Sequence, residues 1–380
     1  MEGAGRVELT GVSLVGGERV ELTAEGGRWV AVAPAPRGVA APGLVWHPGA
    51  FDPHINGWGG CDFLLDDPAD HAAALTALCG TGTTAFLPTL ITCDEAILRR
   101  ALGRWQRWAA TPTPGAPQFC GLHLEGPFLA AERAGVHPPP LLRAPDAAWL
   151  GRLLDDFPGL VRLVTVAPEL PGCLAVVEAL VGRGVVVGLG HTGASAAQAR
   201  AAVAAGACWV THLFNAMGPF HHRAPGLVGA ALGGKSLSCE VIADGVHVAD
   251  EALAMAFRCL GPERLVLVSD AVAAAGAGDG PLRLGAVVGA VAGGRAVDGE
   301  GRIAGGLSSV WEGAVRLAAA AGVEWEQVVP CVRTTAAAAL GVDLPGRPQV
   351  GGEAELVGVD SAGRVRAVLR AGRWVAGPPG

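Results

Sequence analysis

The sequence predicts an α/β protein: a closed parallel (β/α)8, TIM-like barrel carrying a small β-sandwich domain formed by both termini. Three observations predict it. The middle of the chain alternates apolar runs of strand length with amphipathic helical stretches, and eight such units fall within residues 49–270. Both ends instead hold short runs of alternating polarity separated by glycines. Finally, several of the apolar runs in the middle end on a histidine or a carboxylate, at the strand ends where barrel enzymes keep their chemistry.

At the N-terminal end, RVELTGVSLV and RVELTAEGGRWVAVAP read as antiparallel strands, and AELVGVD, RVRAVLR and RWVAG repeat the texture near the C-terminus. The two ends are expected to pair, giving a small β domain of residues 1–47 plus 351–380 around a barrel of residues 48–350. The eight barrel strand candidates are GAFDPHI (49–55), TAFLPTL (84–90), QFCGLHLE (118–125), VRLVTVA (161–167), VVVGLG (185–190), CWVTHLF (208–214), LSCEVIA (237–243) and RLVLVSD (264–270). Helices between them include HAAALTALCG, EAILRRALGRWQRWAA, DAAWLGRLLDDF and EALAMAFRCLG. Between VVVGLG and CWVT a helix starts at Ser195, a good N-cap, and stops at Gly206. Strand, helix, strand makes a right-handed crossover, so His191 and His212 fall on the same end of the sheet. The Gly-rich, alternating stretch 275–305 reads as a β-hairpin insertion or lid, and the helical segments after it are expected outside the barrel. An open doubly wound sheet is the runner-up, but no GxGxxG follows the first strand.

Composition narrows the function. With 17% charged residues, a net charge of −7 and no basic block, the chain has no footprint for nucleic acid. The nine cysteines are scattered, odd in number and free of CxxC pairs, as expected for reduced thiols in a cytoplasmic protein. No stretch reads as a signal peptide or as a membrane span, so no membrane partner is expected.

Four polar residues end apolar runs on separate strands: Glu125, His191, His212 and Asp270. One strand-end histidine is commonly a hydrogen-bonded structural residue, and one strand-end carboxylate commonly caps the next helix. Four converging on one barrel mouth call for a shared partner, because an unpaired buried polar group costs several kcal/mol. A divalent cation supplies it. A carboxylate and two imidazoles make a three-ligand site with a position left for water, whose pKa the ion lowers to about 7. Asp270, off the metal, would then move the proton.

The blocks HLEGPF, GHTGAS, THLFNAM, HHRAPGLVGA, IADGVHV and VSDAVAAAG, in order from Pro48 to Gly341, closely resemble the signature blocks of the N-acetylglucosamine-6-phosphate deacetylase family of the amidohydrolase superfamily. The resemblance implies the same barrel with a β domain from both termini, a homodimer, and a small-molecule substrate, N-acetylglucosamine 6-phosphate. It implies Glu125, His191 and His212 as metal ligands and Asp270 as the catalytic acid/base. His247 resembles the histidine near the scissile amide. His137, Asn215 and the Ala216 backbone resemble sugar-phosphate contacts, and Arg223 resembles a phosphate-binding arginine, a role suited to its bidentate fork.

The chain departs from the family at three places. AGVH stands where a KGAH-like run is usual, GGLSS stands in the late loop, and the first strand reads His54-Ile55-Asn56 where two-metal members show His-x-His. Asn56 is a poor ligand, so one divalent ion per chain is expected, zinc first, with iron, cobalt or manganese as substitutes. His54 is then left to contact substrate or water. A related amidohydrolase acting on another N-acylated substrate, such as N-acetylgalactosamine 6-phosphate, and a non-catalytic sugar-phosphate-binding barrel are the competing expectations.

Overall fold

The structure is a computed structural model describing residues 5–36 and 43–377. All eight expected strands form, and we number them β1 (Ala50–Ile55), β2 (Thr83–Ile91), β3 (Leu122–Glu125), β4 (Val161–Val166), β5 (Val186–Leu189), β6 (Trp209–Val210), β7 (Ser238–Ile242) and β8 (Leu265–Val268). Each pairs in parallel with the next in chain order. The first and last strands meet through a parallel bridge between Ile55 and Ala271, and Asp270 N donates to His54 O at 2.9 Å. Buried Asp52 reinforces this seam by accepting from the Ser269 backbone N–H and hydroxyl. The result is a (β/α)8 barrel.

One helix follows each strand: α1 (Ala72–Gly80), α2 (Glu95–Ala110), α3 (Ala147–Asp156), α4 (Cys173–Val181), α5 (Ala196–Ala204), α6 (Gly226–Gly233), α7 (Asp250–Leu260) and α8 (Val310–Ala321). Their starts are written in the sequence. Ser195 and Ser309 each form a reciprocal capping box, with Gln198 and Glu312, and Asp94 and Asp146 accept from N–H groups of the first turns of α2 and α3. In α2 the buried set Leu98, Ala101, Leu102, Trp105 and Trp108 recurs at the three-and-four spacing that points one face at the strands.

Strand alternation sorts the core into two layers. Phe86 and Leu90 of β2 face the helices, while Ala85 and Leu87 face the barrel axis with Phe51, Leu163, Trp209 and Val266. A further helix, α9 (Thr334–Leu340), adds Ala336 and Leu340 to that inner layer. The expectation that this segment packs outside the barrel is thus corrected: α9 closes the mouth at the N-terminal strand ends. An open bottom would leave Phe51 and Trp209 wet, and burying one Leu side chain is favourable by about 1.5–3 kcal/mol.

The termini form one seven-stranded sheet in which Arg373–Ala376, Val365–Arg370, Leu356–Val359, Val45–His47, Val7–Leu14, Arg19–Glu25 and Arg28–Pro34 are successive neighbours. Residues from both ends, including Leu9, Val20, Trp29, Trp46, Leu356 and Leu369, share its core. The turn at Gly26-Gly27 needs glycine twice over. Both φ values are positive (56° and 82°), and a Cβ on Gly27 would stand 2.9 Å from Ala371 O. Sheet and barrel are joined by a buried ion pair, Arg333 Nη2 to Glu355 Oε1 at 3.0 Å, and by Gly49 N donating to the same oxygen at 3.2 Å.

The Gly-rich insertion is a three-stranded antiparallel sheet, Gly280–Leu284, Val287–Ala292 and Arg295–Asp298. Its Arg283 grips Asp66 (2.6 Å), and Gly285 N donates to Asp62 (2.8 Å), which moors it to the loop after β1. Two strand expectations need correction. QFCGLHLE is split at Gly121, whose φ of 110° leaves the β region, and CWVTHLF keeps only Trp209 and Val210 as strand. No helix of the described residues is long and apolar enough to cross a membrane.

Candidate active site

Glu125, His191, His212 and Asp270 meet at the C-terminal strand ends. Three of them carry left-handed backbone: φ is 47° at His191, 31° at His212 and 47° at Asp270. Phe214 and Ala216 do likewise, so five of the six described non-glycine residues with positive φ sit here; the other is Ala371. Each such residue costs about 1–2 kcal/mol, and the cost persists only where surrounding contacts enforce it. The effect is to turn each side chain out of the strand line and into the mouth. Glu169 anchors the turn after β5, accepting from the Thr192 hydroxyl and from Gly193 N at 2.6 Å.

The donor atoms converge tightly. Glu125 Oε1 lies 3.0 Å from His191 Nε2 and 2.9 Å from His212 Nε2, and the two imidazole nitrogens are 3.0 Å apart. All three residues are buried. His191 Nδ1 donates to Arg133 O at 2.9 Å, which leaves the Nε2 lone pair free for an electrophile. Burial, with His137 nearby, pushes His191 down to about 4, so the ring is neutral near pH 7. Burial alone would raise Glu125; His54 and the hydrogen bonds of His137, His191 and His212 outweigh it and hold the carboxyl well below its usual range. An anionic carboxylate and two imidazole nitrogens within one coordination sphere fit a divalent cation.

Asp270 stands beside this set. Its Oδ1 accepts from Asn56 Nδ2 at 2.7 Å and lies 3.2 Å from His54 Nε2. Glu125 Oε2 is 3.4 Å from His137 Nε2 and 3.6 Å from His54 Nε2. A cavity of about 250 Å³ opens over the group. Its barrel wall includes Asn56, Glu125, His137, His191, His212, Asn215, Ala216, His247 and Asp270, and the opposite wall comes from Leu284 and the 302–305 segment of the insertion. His247 Nδ1 holds Asp244 Oδ2 at 2.7 Å, and despite burial this keeps Asp244 down at about 2.

Two expected site residues are not on that wall. His54 is wholly buried beneath it, against Glu240, Asp270 and Glu125, so the expectation that it touches substrate or water gives way to a supporting position. Arg223 is exposed on the loop after β6, 2.8 Å from His222 Nε2, and does not line the cavity of its own chain. Sequence reasoning also passed over residues that do line it. Asn56 was discounted as a ligand, although its register with His54 points it to the same side. Arg302 and Ile303 belong to the insertion, where glycines erase the periodicity that would have aimed them. Elsewhere among the described residues, two other groups of three potential ligands occur, His54–His123–Glu240 and Cys61–Asp66–His71. Their atoms are already engaged: His123 by Thr89 (3.2 Å) and Thr165 (2.7 Å), Asp66 by Arg283.

No protein-family model matches the chain. Curated relatives do. The chain is 34% identical over 317 residues to the N-acetylglucosamine-6-phosphate deacetylase of Bacillus subtilis, covering 83% of this chain and 80% of that protein. It is also 34% identical over 333 residues to the N-acetylgalactosamine-6-phosphate deacetylase of Escherichia coli O157:H7, covering 87% and 86%. Among solved structures, an aspartate-to-alanine variant of the Mycobacterium smegmatis N-acetyl-D-glucosamine-6-phosphate deacetylase, in complex with N-acetyl-D-glucosamine-6-phosphate, superposes with a TM-score of 0.88 at 36% identity, covering 99% of this chain and all of that one. With fold, mouth and sequence in agreement over most of its length, the chain belongs to the N-acetylglucosamine-6-phosphate deacetylase family of the amidohydrolase superfamily.

Proposed function

We propose that the protein hydrolyses the N-acetyl amide of N-acetylglucosamine 6-phosphate, releasing glucosamine 6-phosphate and acetate. The observation that carries this reading is the convergence of Glu125 Oε1, His191 Nε2 and His212 Nε2 within 3.0 Å of one another, beside an aspartate that is not part of the set. These three residues would hold one divalent ion, zinc by the chemistry of the donor set, with iron, cobalt or manganese as substitutes. Such an ion polarises a carbonyl oxygen and lowers the pKa of a bound water.

The chain's own groups do the rest. Asp270, pinned at Oδ1 by Asn56, takes one proton from the attacking water and returns it to the amine nitrogen as the C–N bond breaks. In this reading His247 donates to the amide oxygen; its place on the cavity wall and its bond to Asp244 support that role. His137, Asn215 and the backbone at Ala216 orient the sugar. Arg223 stands off its own cavity, so a phosphate role requires its loop to meet the ligand of a second copy. That agrees with a homodimer, as does the 60% exposure of neighbouring Phe220. A cytoplasmic enzyme of amino-sugar catabolism completes the reading.

A second substrate has specific support. The E. coli relative is named for the galactosamine epimer and matches as well as the B. subtilis one. The test is acetate release from N-acetylglucosamine and N-acetylgalactosamine, each with and without 6-phosphate, after loading with zinc, iron, cobalt or manganese. Fastest turnover of N-acetylglucosamine 6-phosphate is expected. Faster turnover of the galactosamine epimer would transfer the assignment to it, and no acetate from any of the four would leave a non-catalytic barrel.

A further inference from the structure

Glu240 is a carboxylate on the inner face of β7 with no exposure to solvent. An unpaired charge there would cost many kcal/mol, yet none of the chemistry above uses it. Its partners explain why it is tolerated. Oε1 accepts from Trp209 Nε1 at 2.8 Å; Oε2 accepts from the His212 backbone N–H at 2.9 Å and lies 2.9 Å from His54 Nδ1.

The contact with His54 matters most. A carboxylate only accepts, so His54 must carry its proton on Nδ1. The opposite nitrogen, Nε2, then points up to the reaction centre, 3.2 Å from Asp270 Oδ1 and 3.6 Å from Glu125 Oε2, with no hydrogen bond of its own among the described residues. Without Glu240 the imidazole has two ways to fail. The ring could shift, or rotate half a turn about its Cβ–Cγ bond and put a C–H where Nε2 now stands. Packing alone does not forbid this, because His123 meets the ring edge-on at 4.6 Å and offers it no polar partner, both His123 nitrogens being spent on Thr89 and Thr165.

We infer that Glu240 is a positioning residue of the reaction centre: by holding the Nδ1–H of His54 it fixes the ring so that Nε2 stands 3.2 Å from Asp270 Oδ1. The inference rests on the reading of Asp270 as acid/base. It adds a layer to it, in which Glu240 on β7 orients His54 on β1, and His54 stands beside the Asp270 carboxylate that Asn56 holds. The arrangement follows the general logic of a base whose orientation is set by a third group.

The test is a double-mutant cycle on metal-loaded enzyme, with Glu240→Gln, His54→Gln and the pair. Loss of an orienting partner commonly costs ~10–100-fold, so Glu240→Gln should lower kcat by that factor with KM within about threefold and bound metal retained. Because Glu240 acts through His54, the double variant should be no slower than the slower single variant. Trp209→Phe, which removes only the other side-chain donor to Glu240, should keep kcat within about threefold. Full additivity, a normal kcat in Glu240→Gln, or an equal loss in Trp209→Phe would overturn the inference. If Glu240→Gln does not fold, the decision passes to 15N spectroscopy of histidine-labelled wild-type protein, with the His54 signal identified by its loss in His54→Gln. A proton on Nδ1 supports the assignment, and an Nδ1 without one overturns it. Asp270→Asn runs alongside: near-normal turnover there defeats the acid/base reading itself, while the cycle and the tautomer still judge the link between Glu240 and His54.

Discussion

Replacing Asp270 by Asn separates chemistry from scaffolding, and the structure sets the scale of the effect. The amide is nearly isosteric, so its oxygen can keep the 2.7 Å bond from Asn56 Nδ2 and the 3.2 Å approach to His54 Nε2. What disappears is basicity. Lost general acid/base catalysis costs about 10²–10⁴-fold, equivalent to ~2.7–5.5 kcal/mol of barrier. The upper part of that range is expected, because among the described residues the only other carboxylate on the cavity wall is Glu125, and its two oxygens face three histidines of the site and His54. Since Asp270 supplies no atom to the Glu125–His191–His212 set, bound metal should stay at the wild-type level and Tm should move by only a few degrees. The assay is steady-state acetate release with elemental analysis of the same samples. Turnover within a few-fold of wild type at full metal content would refute the proton-transfer role. Loss of the ion would instead make Asp270 a ligand.

Three further expectations concern metal, phosphate and pH. Elemental analysis of protein purified without chelators should find one ion per chain, because Asn56 is spent on Asp270; two ions, with one lost in His54→Ala, would make His54 a ligand. Arg223→Ala should lower kcat/KM at least tenfold for the phosphorylated sugar and little for the unphosphorylated one, since charge-assisted bonds contribute ~1.5–3 kcal/mol each. If that selective loss follows Arg302→Ala instead, the cavity's own arginine holds the phosphate. Acid stability should depend on His47, which burial pushes from 6.5 down to about 3, while it stacks on Trp311 at 4.2 Å. The unfolded chain binds that proton near pH 6.5 and the native one only near 3, so stability falls as pH drops through this window, by up to ~1.4 kcal/mol per unit. Asp52 opposes it: burial raises its carboxyl to about 7, so the native state holds an extra proton between about 4 and 7 and loses stability as pH rises there. Subtracting the denaturation profile of His47→Gln isolates the first effect, and an unchanged profile would exclude it.

What the sequence determined by itself was the architecture and the four polar residues that meet at the barrel mouth. Eight apolar runs and their spacers dictate a parallel barrel because buried strands and one-sided helices have few other ways to hide their apolar faces. The capping residues Asp94, Ser195 and Ser309 mark where α2, α5 and α8 begin, since an N-cap bond is local and needs nothing from the rest of the fold. Glu125, His191, His212 and Asp270 were legible for a related reason: a polar residue closing an apolar run is anomalous within a few residues of sequence. Tertiary structure alone decided what depends on distance through space. α9 looks like any Ala-rich surface helix, and only the barrel's open bottom shows that Leu340 is a plug. His54 lies in a strand whose period of two aims it inward, but its depth, and so its contact with Asp270 rather than solvent, depends on how β1 docks against β8. Arg223 sits in a basic, polar loop, and chain proximity to Asn215 says nothing about where that loop leaves the cavity. Glu240 is the clearest case. In LSCEVIA it is the one charged residue, and its meaning comes from Trp209, His212 and His54, which lie 31, 28 and 186 residues away along the chain. A hydrogen bond reads distance in ångströms, and only the folded barrel turns those separations into 2.8–2.9 Å.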